Sequence, residues 1–350
     1  MPPLANGGRE SYLLPMLGAA VHRLERHFWA QENRRARHPF AWGIEHLGGT
    51  PGRADPRRFL ARHAEKALRG SEQFFATGPA EWYRLESGIL TFPSAIRSAF
   101  PENNLVFCRW FPARRAGAAV LVLPQWNADW EGHANLCRFL NRFGISALRM
   151  SLPYHDRRRP AGFARADYMV SPNIGHTLQA SRQAVLDARR AVRWLEQQGF
   201  ARMGILGTSI GSSVGFITLA HEPALEAGVF LHVSSYFGDV VRTGLSTAHV
   251  WADLESQVSA EEIRRFWAPI SPFPYIPRLR GTAKKLLFVS GRYDLSFRPE
   301  LSEPVWAALK ERGIPYERLE LPCGHYTLAR APFSYWAGLC AARFLRRELR

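Results

Sequence analysis

The sequence predicts an α/β fold, with a mainly parallel sheet covered by helices on both faces. Three observations predict it. From about residue 104, short apolar runs alternate with segments of helical period. The run AAVLVLP (118–124) is apolar at every position, as expected of a strand buried on both faces. Gly144 and Gly199 each follow a helical segment, where a glycine closes the last turn.

The elements follow in order. Residues 1–103 read as a helical N-terminal extension. SYLLPMLGAAVHRLERHFWAQ has apolar residues at helical spacing, and DPRRFLARHAEKALRGSEQFF opens on the start signal Asp55-Pro56. The loop GGTPGR lies between them, and the segment carries no catalytic signature. Residues 104–350 form the main domain. NLVFCRWF, AAVLVLP, ISALRMSLP, RMGILGT, AGVFLHVSS, AKKLLFVSG and YERLEL read as strands. EGHANLCRFLNRFG, HTLQASRQAVLDARRAVRWLEQQG, EPVWAALKERG and SYWAGLCAARFLRREL read as helices, and another starts directly after Ser209. Two segments break the rhythm. Residues 153–175 are rich in Pro, Gly and Arg. Residues 236–282 carry Trp251, Phe266, Trp267, Phe273 and Tyr275. Long insertions of this kind sit at the functional edge, and the second reads as a cap over the site.

Composition narrows the class. The 350 residues are 46% hydrophobic, enough for a sizeable core, and the net charge is +16. Only Lys66, Lys284, Lys285 and Lys310 are lysines, so the positive charge is scattered arginine. No aromatic-basic module accompanies it, and nucleic-acid binding is not expected. Attraction to anionic acyl substrates or lipid headgroups stays open. No apolar run is long enough for a membrane span, and no basic segment precedes the N-terminal apolar patch as in a signal peptide. Cys108, Cys137, Cys323 and Cys340 show no paired spacing, which fits reduced thiols and a cytoplasmic setting. No metal is expected, since His221 in HEPAL lacks the second histidine of a zinc motif. The absence of G-x-G-x-x-G and Walker A sequences leaves no support for a nucleotide cofactor.

The chemistry centres on Gly207-Thr208-Ser209-Ile210-Gly211. The pattern follows a buried strand and precedes a helix, the context of a strained nucleophile turn. Small residues on either side of Ser209 relieve crowding there. A serine hydroxyl needs a base, and the base needs an acid to hold its tautomer. His325 in LELPCGHYTL stands just past a strand and before the last helix. Asp294 in LLFVSGRYDLSF follows another strand end, and Asp239 in VSSYFGDVV is the alternative acid. An oxyanion would be met by the backbone N–H of Ile210 and by that of Trp126, with Gln125 close behind. The Trp126 side chain is expected to shape the acyl pocket. Arg157 and Arg158 lie at the edge of the same face. They read first as a solvated basic loop and second as an anchor for a substrate anion.

GTSIGS, SGRYD and CGHYTL, in that order, resemble the α/β-hydrolase superfamily over about residues 104–350. RMSLPYHDRRRP, the helix ending RWLEQQG, and GILGTSIGSSVGF more narrowly resemble the abhydrolase domain-containing protein 18-like group, mainly over 148–216. The resemblance implies a triad of Ser209, Asp294 and His325 and an ester-like substrate, small or lipid acyl. One departure is Pro124-Gln125, where many members have His-Gly. Two rival classes remain: an acyltransferase on the same triad, and a non-catalytic ligand-binding member of the fold.

Overall fold

The computed structural model describes residues 7–32, 35–114 and 117–350. Helix α1 (Gly7–Gln31) leads, followed by α2 (Pro56–Arg69) and the single turn α3 (Ser71–Phe74). Asp55 caps α2 by accepting the Arg57 N–H, and Pro56 takes the first helical position. The helix then buries Leu60, Ala61, Ala64 and Ala67 on one side.

The expected helical extension over 1–103 requires a correction. Strands β1 (Arg84–Glu86) and β2 (Ile89–Pro93) form a hairpin, and β2 pairs onto β3 (Leu105–Phe111) with Leu90 opposite Cys108. The sheet therefore begins at Arg84. Ser87-Gly88 between two alternating runs carried that signal. Residues 1–6 of the extension lie outside the described residues.

The main domain follows as β4 (Ala118–Leu123), α4 (Ala134–Asn141), β5 (Ile145–Met150), α5 (Ile174–Gln197), β6 (Met203–Thr208), α6 (Ile210–His221) and β7 (Leu225–Leu231). Short helices α7 (Phe237–Thr243), α8 (Ala248–Leu254) and α9 (Ala260–Phe266) fill the insertion. Then come β8 (Lys285–Gly291), α10 (Pro299–Glu311), β9 (Glu317–Leu321), the single turn α11 (His325–Leu328) and α12 (Phe333–Glu348). The sheet order is β1-β2-β3-β5-β4-β6-β7-β8-β9. Pairing is antiparallel up to β3–β5 and parallel from β5 to β9.

Period-two alternation explains the apolar runs. Ala119, Leu121 and Leu123 enter one core with α5 and α6, while Val120 and Val122 enter the other with α4 and α12. After β4 the chain passes to β5 on one side and returns to β6 on the other, making the carboxyl end of β4 a switch point. The register places Leu123 beside Gly207, Leu231 beside Thr208 and Val289, and Gly291 beside Leu321. The ends of five strands thus share one edge, from which the loops bearing Ser209, Asp294 and His325 leave.

The solvated basic loop expected at Arg157 and Arg158 holds for Arg157, which is exposed, and fails for Arg158. Arg158 is fully buried, with Nη2 2.8 Å from Asp187 Oδ2. It also donates to the carbonyls of Ser151 (3.1 Å) and Asn103 (2.9 Å). Asp187 in turn accepts from Ser94 Oγ and the Ala95 N–H. This network ties the segment after β2, the end of β5 and α5 into one unit. Asp187→Ala, which strands the buried guanidinium, should cost about 3–5 kcal/mol in urea-unfolding stability.

Candidate active site

Ser209 sits between β6 and α6 with φ 57° and ψ −121°, outside the helical and extended regions. Two close approaches explain its neighbours. A Cβ on Gly207 would lie 2.2 Å from the Gly211 carbonyl oxygen, and one on Gly211 would lie 2.4 Å from that of Leu123. The missing side chains let the first turn of α6 press against the end of β4. The Ser209 N–H is tied to the Leu231 carbonyl at 2.8 Å, and Ser212 Oγ donates to the carbonyls of Ser209 and His232. The turn is thereby locked to the end of β7.

Asp294 is buried at the end of β8. Its Oδ1 accepts the N–H groups of Ser296 and Phe297, both at 2.7 Å. Its Oδ2 meets His325 Nδ1 at 3.2 Å. Burial alone would raise this carboxyl, but the charges and hydrogen bonds of His325 and His232 hold it well below the usual carboxylate range. For His325, burial acts to lower the pKa. The Asp294 charge and hydrogen bond outweigh it, and the net shift is upward. With Nδ1 on the carboxylate, Nε2 is the nitrogen left for Ser209. Both residues line one cleft. No hydrogen bond joins Ser209 Oγ to the imidazole among the described residues. Such contacts commonly tighten only when substrate binds.

The structure brings Asp294 to His325 and leaves Asp239 elsewhere. Asp239, buried in α7, pairs with Arg264 at 2.8 Å. Arg157 is exposed and stacks over Trp130, 4.2 Å from its ring centroid. Neither it nor Arg158 lines the cleft. The anion anchor read from these arginines is not assembled.

Trp126, Gln125 and Ile210 do line the cleft. Among the described residues their backbone N–H groups make no hydrogen bond. The Trp126 indole donates to the Ala166 carbonyl at 2.9 Å, lies flat against His249 and carries Arg165 on its face. The loop after β4, which carries Gln125 and Trp126, is held from outside. His155, fully buried, has Nδ1 on the Pro153 carbonyl, so Nε2 accepts the Asn127 N–H at 3.0 Å. Buried Arg149 pairs with Asp156 and donates to the carbonyls of Asp129 and Gly132. These supports fix the backbone of the loop that carries Gln125 and Trp126.

Sequence reading places His155 only at the edge of this face, as part of the basic loop, and does not single out Arg149 or His232. His232 follows β7 with φ 60°, its Nδ1 2.7 Å from Asp294 Oδ2. Its ring centroid lies 4.3 Å from that of His325. Burial, and then the His325 charge, lower its pKa against the opposing pull of Asp294. Its position just past a buried strand was the available signal. The imidazole nitrogens of His232 and His325 and the Asp294 oxygen lie within 4.8 Å of one another, close enough for a metal ion. The carboxylate already accounts for those contacts, and Asp294 Oδ1 is occupied by two N–H groups.

The cleft encloses about 730 Å³, within the range of small-molecule sites. Phe237, Val240 and Thr247 of the 236–282 insertion line it.

No family model matches the sequence, and no curated protein matches it. Solved structures do match. A puromycin-hydrolyzing peptidase of Mycobacterium tuberculosis aligns with TM-score 0.57 and 17% identity, over 74% of this chain and 39% of that one. An acylaminoacyl peptidase of Pyrococcus horikoshii aligns with TM-score 0.56 and 12% identity, over 78% of this chain and 50% of that one. An esterase of Pyrococcus furiosus aligns with TM-score 0.53 and 16% identity, over 77% of this chain and 92% of that one. The chain thus spans half or less of the two peptidases it resembles. With the parallel sheet and its helical layers, these likenesses show the α/β-hydrolase fold.

Gly211→Ala tests the close approach at the Ser209 turn. The added methyl should cost about 1–3 kcal/mol of stability, read from the urea midpoint.

Proposed function

We propose that this protein is a serine hydrolase that cleaves an ester-like bond, carboxylic ester or thioester, through an acyl-enzyme on Ser209. The contact of His325 with a buried, ionised Asp294, beside a strained Ser209 in one cleft, carries the reading. Ser209 Oγ attacks the acyl carbon while His325 Nε2 takes its proton. The oxyanion is met by the N–H groups of Ile210 and Trp126 or Gln125. Collapse breaks the bond to the leaving group, which takes the proton from His325. Water then attacks the acyl-enzyme, giving one proton to His325 Nε2; collapse breaks the bond to Ser209 Oγ, which takes that proton back as the acid leaves. Asp294 holds the imidazole with Nε2 free and stabilises its positive form.

The apolar lining from α7 and the Trp126 wall favour an acyl chain over a charged group. A small-molecule or lipid acyl substrate follows. The named peptidases among the structural matches make an amide the natural rival. The narrower kinship with the abhydrolase domain-containing protein 18-like group rests on the 148–216 motifs. Four free thiols support a cytoplasmic setting. No described helix is long and apolar enough to cross a membrane.

p-Nitrophenyl esters of graded chain length, with p-nitroanilides in parallel, test the reading. Ser209→Ala should lose about 10⁶-fold in kcat, and Asp294→Ala about 10⁴-fold. Equal rates for wild type and Ser209→Ala would overturn it. Since His325 must be neutral to accept a proton and its pKa is raised, the acid limb of kcat/KM should fall above pH 6.5, the ordinary histidine value. A limb below that value would contradict the Asp294 contact. Adding competing alcohols separates hydrolysis from acyl transfer by the product ratio.

A further inference from the structure

Helix α1 brings a carboxylate to the other end of the chain. Glu25 is fully buried against α11. Its Oε1 accepts the Thr327 N–H and the Thr327 Oγ1–H, each at 2.9 Å. The Tyr326 N–H lies 3.0 Å from Oε2 and 3.1 Å from Oε1. Thr327 Oγ1 in turn accepts the Gly324 N–H at 2.7 Å. Gly324, Tyr326 and Thr327 surround His325 in sequence, and all are fastened to one carboxylate, directly or through Thr327. A Cβ on Gly324 would stand 2.4 Å from Glu25 Cδ, so the carboxylate occupies the space of a side chain. The glycine of the Gly-His turn is thus explained by a residue 299 positions earlier.

We propose that Glu25 is a positioning residue for His325: it fixes the turn that carries the imidazole and sets a negative charge behind it. The proposal rests on the reading of His325 as the general base. Any acceptor could cap this turn. A carboxylate adds a full charge at low dielectric, beside a ring that must become positive during the reaction. That charge acts on His325 in the same direction as Asp294, and both oppose the effect of burial. The remaining titratable or charged groups around the ring are few. Asp294 sits at Nδ1 and His232 beside it. The Tyr326 phenol lies next in the chain with Arg35 near it, and Glu32, His133 and Arg330 line the cleft. Glu25 is the carboxylate among them that binds the backbone of the His325 turn.

Two readouts on full-length wild type and Glu25→Gln test the proposal: the NMR titration of the His325 imidazole, and kcat/KM against pH for an activated ester. Circular dichroism is recorded alongside. Glutamine keeps the size and one acceptor oxygen but removes the charge. The imidazole pKa and the acid limb should both move down, by roughly half a pH unit or more. The kcat plateau should fall at least about tenfold, with KM changed less than about twofold. An unmoved imidazole titration overturns the proposal even where activity falls, because it leaves Glu25 a packing role alone. Should Glu25→Gln lose the wild-type dichroism spectrum, Glu25→Asp is read instead. It keeps the charge but withdraws it by one methylene. A lowered plateau with the limb in place supports the proposal, and a wild-type plateau overturns it. A wild type that turns over no ester fails the hydrolase reading. The NMR titration still decides the role of Glu25 in that case.

Discussion

One buried negative charge organises the site. An isolated carboxylate removed from water is strongly disfavoured and would protonate. Asp294 stays ionised because two backbone N–H groups meet Oδ1 and two imidazoles gather at Oδ2. Those partners come from the turn after β8, the end of β7 and the turn after β9. Only a parallel register that ends these strands at one edge can bring them together. The sheet topology and the electrostatics of the acid are therefore one constraint seen at two scales.

A second constraint is steric. The turn at Ser209 forms only if α6 starts hard against β4, and the paired absences at Gly207 and Gly211 allow that approach. The same contact brings the Ile210 N–H toward the loop after β4. That loop has no internal regular structure, yet His155 and the Arg149–Asp156 pair hold its backbone from beneath. On the proposed mechanism, charge develops where these N–H groups point. A rigid loop spares the reaction the reorganisation that water would need. The buried polar groups of segment 153–175 thus serve the geometry of a neighbouring loop, where a surface reading would have put them in solvent.

Much of this was legible in the sequence, and the limits have physical causes. Residues 118–124 announced a doubly buried strand because both faces demand apolar side chains. Ser209, Asp294 and His325 stood out because each follows a strand within a few residues, and the structure brings the last two into contact. The hairpin at 84–93 was missed because its strands are short and β1 is exposed, so little apolar signal marks them. Arg158 looked solvated because a buried charge is recognised by its partner, and Asp187 lies a helix away. Glu25 was invisible for the same reason over a far longer separation. Local pattern reports which face of an element is apolar. It does not report which distant donors will satisfy a buried acceptor.

The central claim is that Ser209 is an activated nucleophile. Intact-protein mass spectrometry after treatment with a fluorophosphonate, followed by peptide mapping, tests it most directly. The account predicts a single adduct, located on Ser209, and none on Ser209→Ala. No adduct on folded wild type, under conditions where a bound fluorescent ligand shows the cleft to be open, would contradict it. So would an adduct that persists in the Ser209→Ala protein.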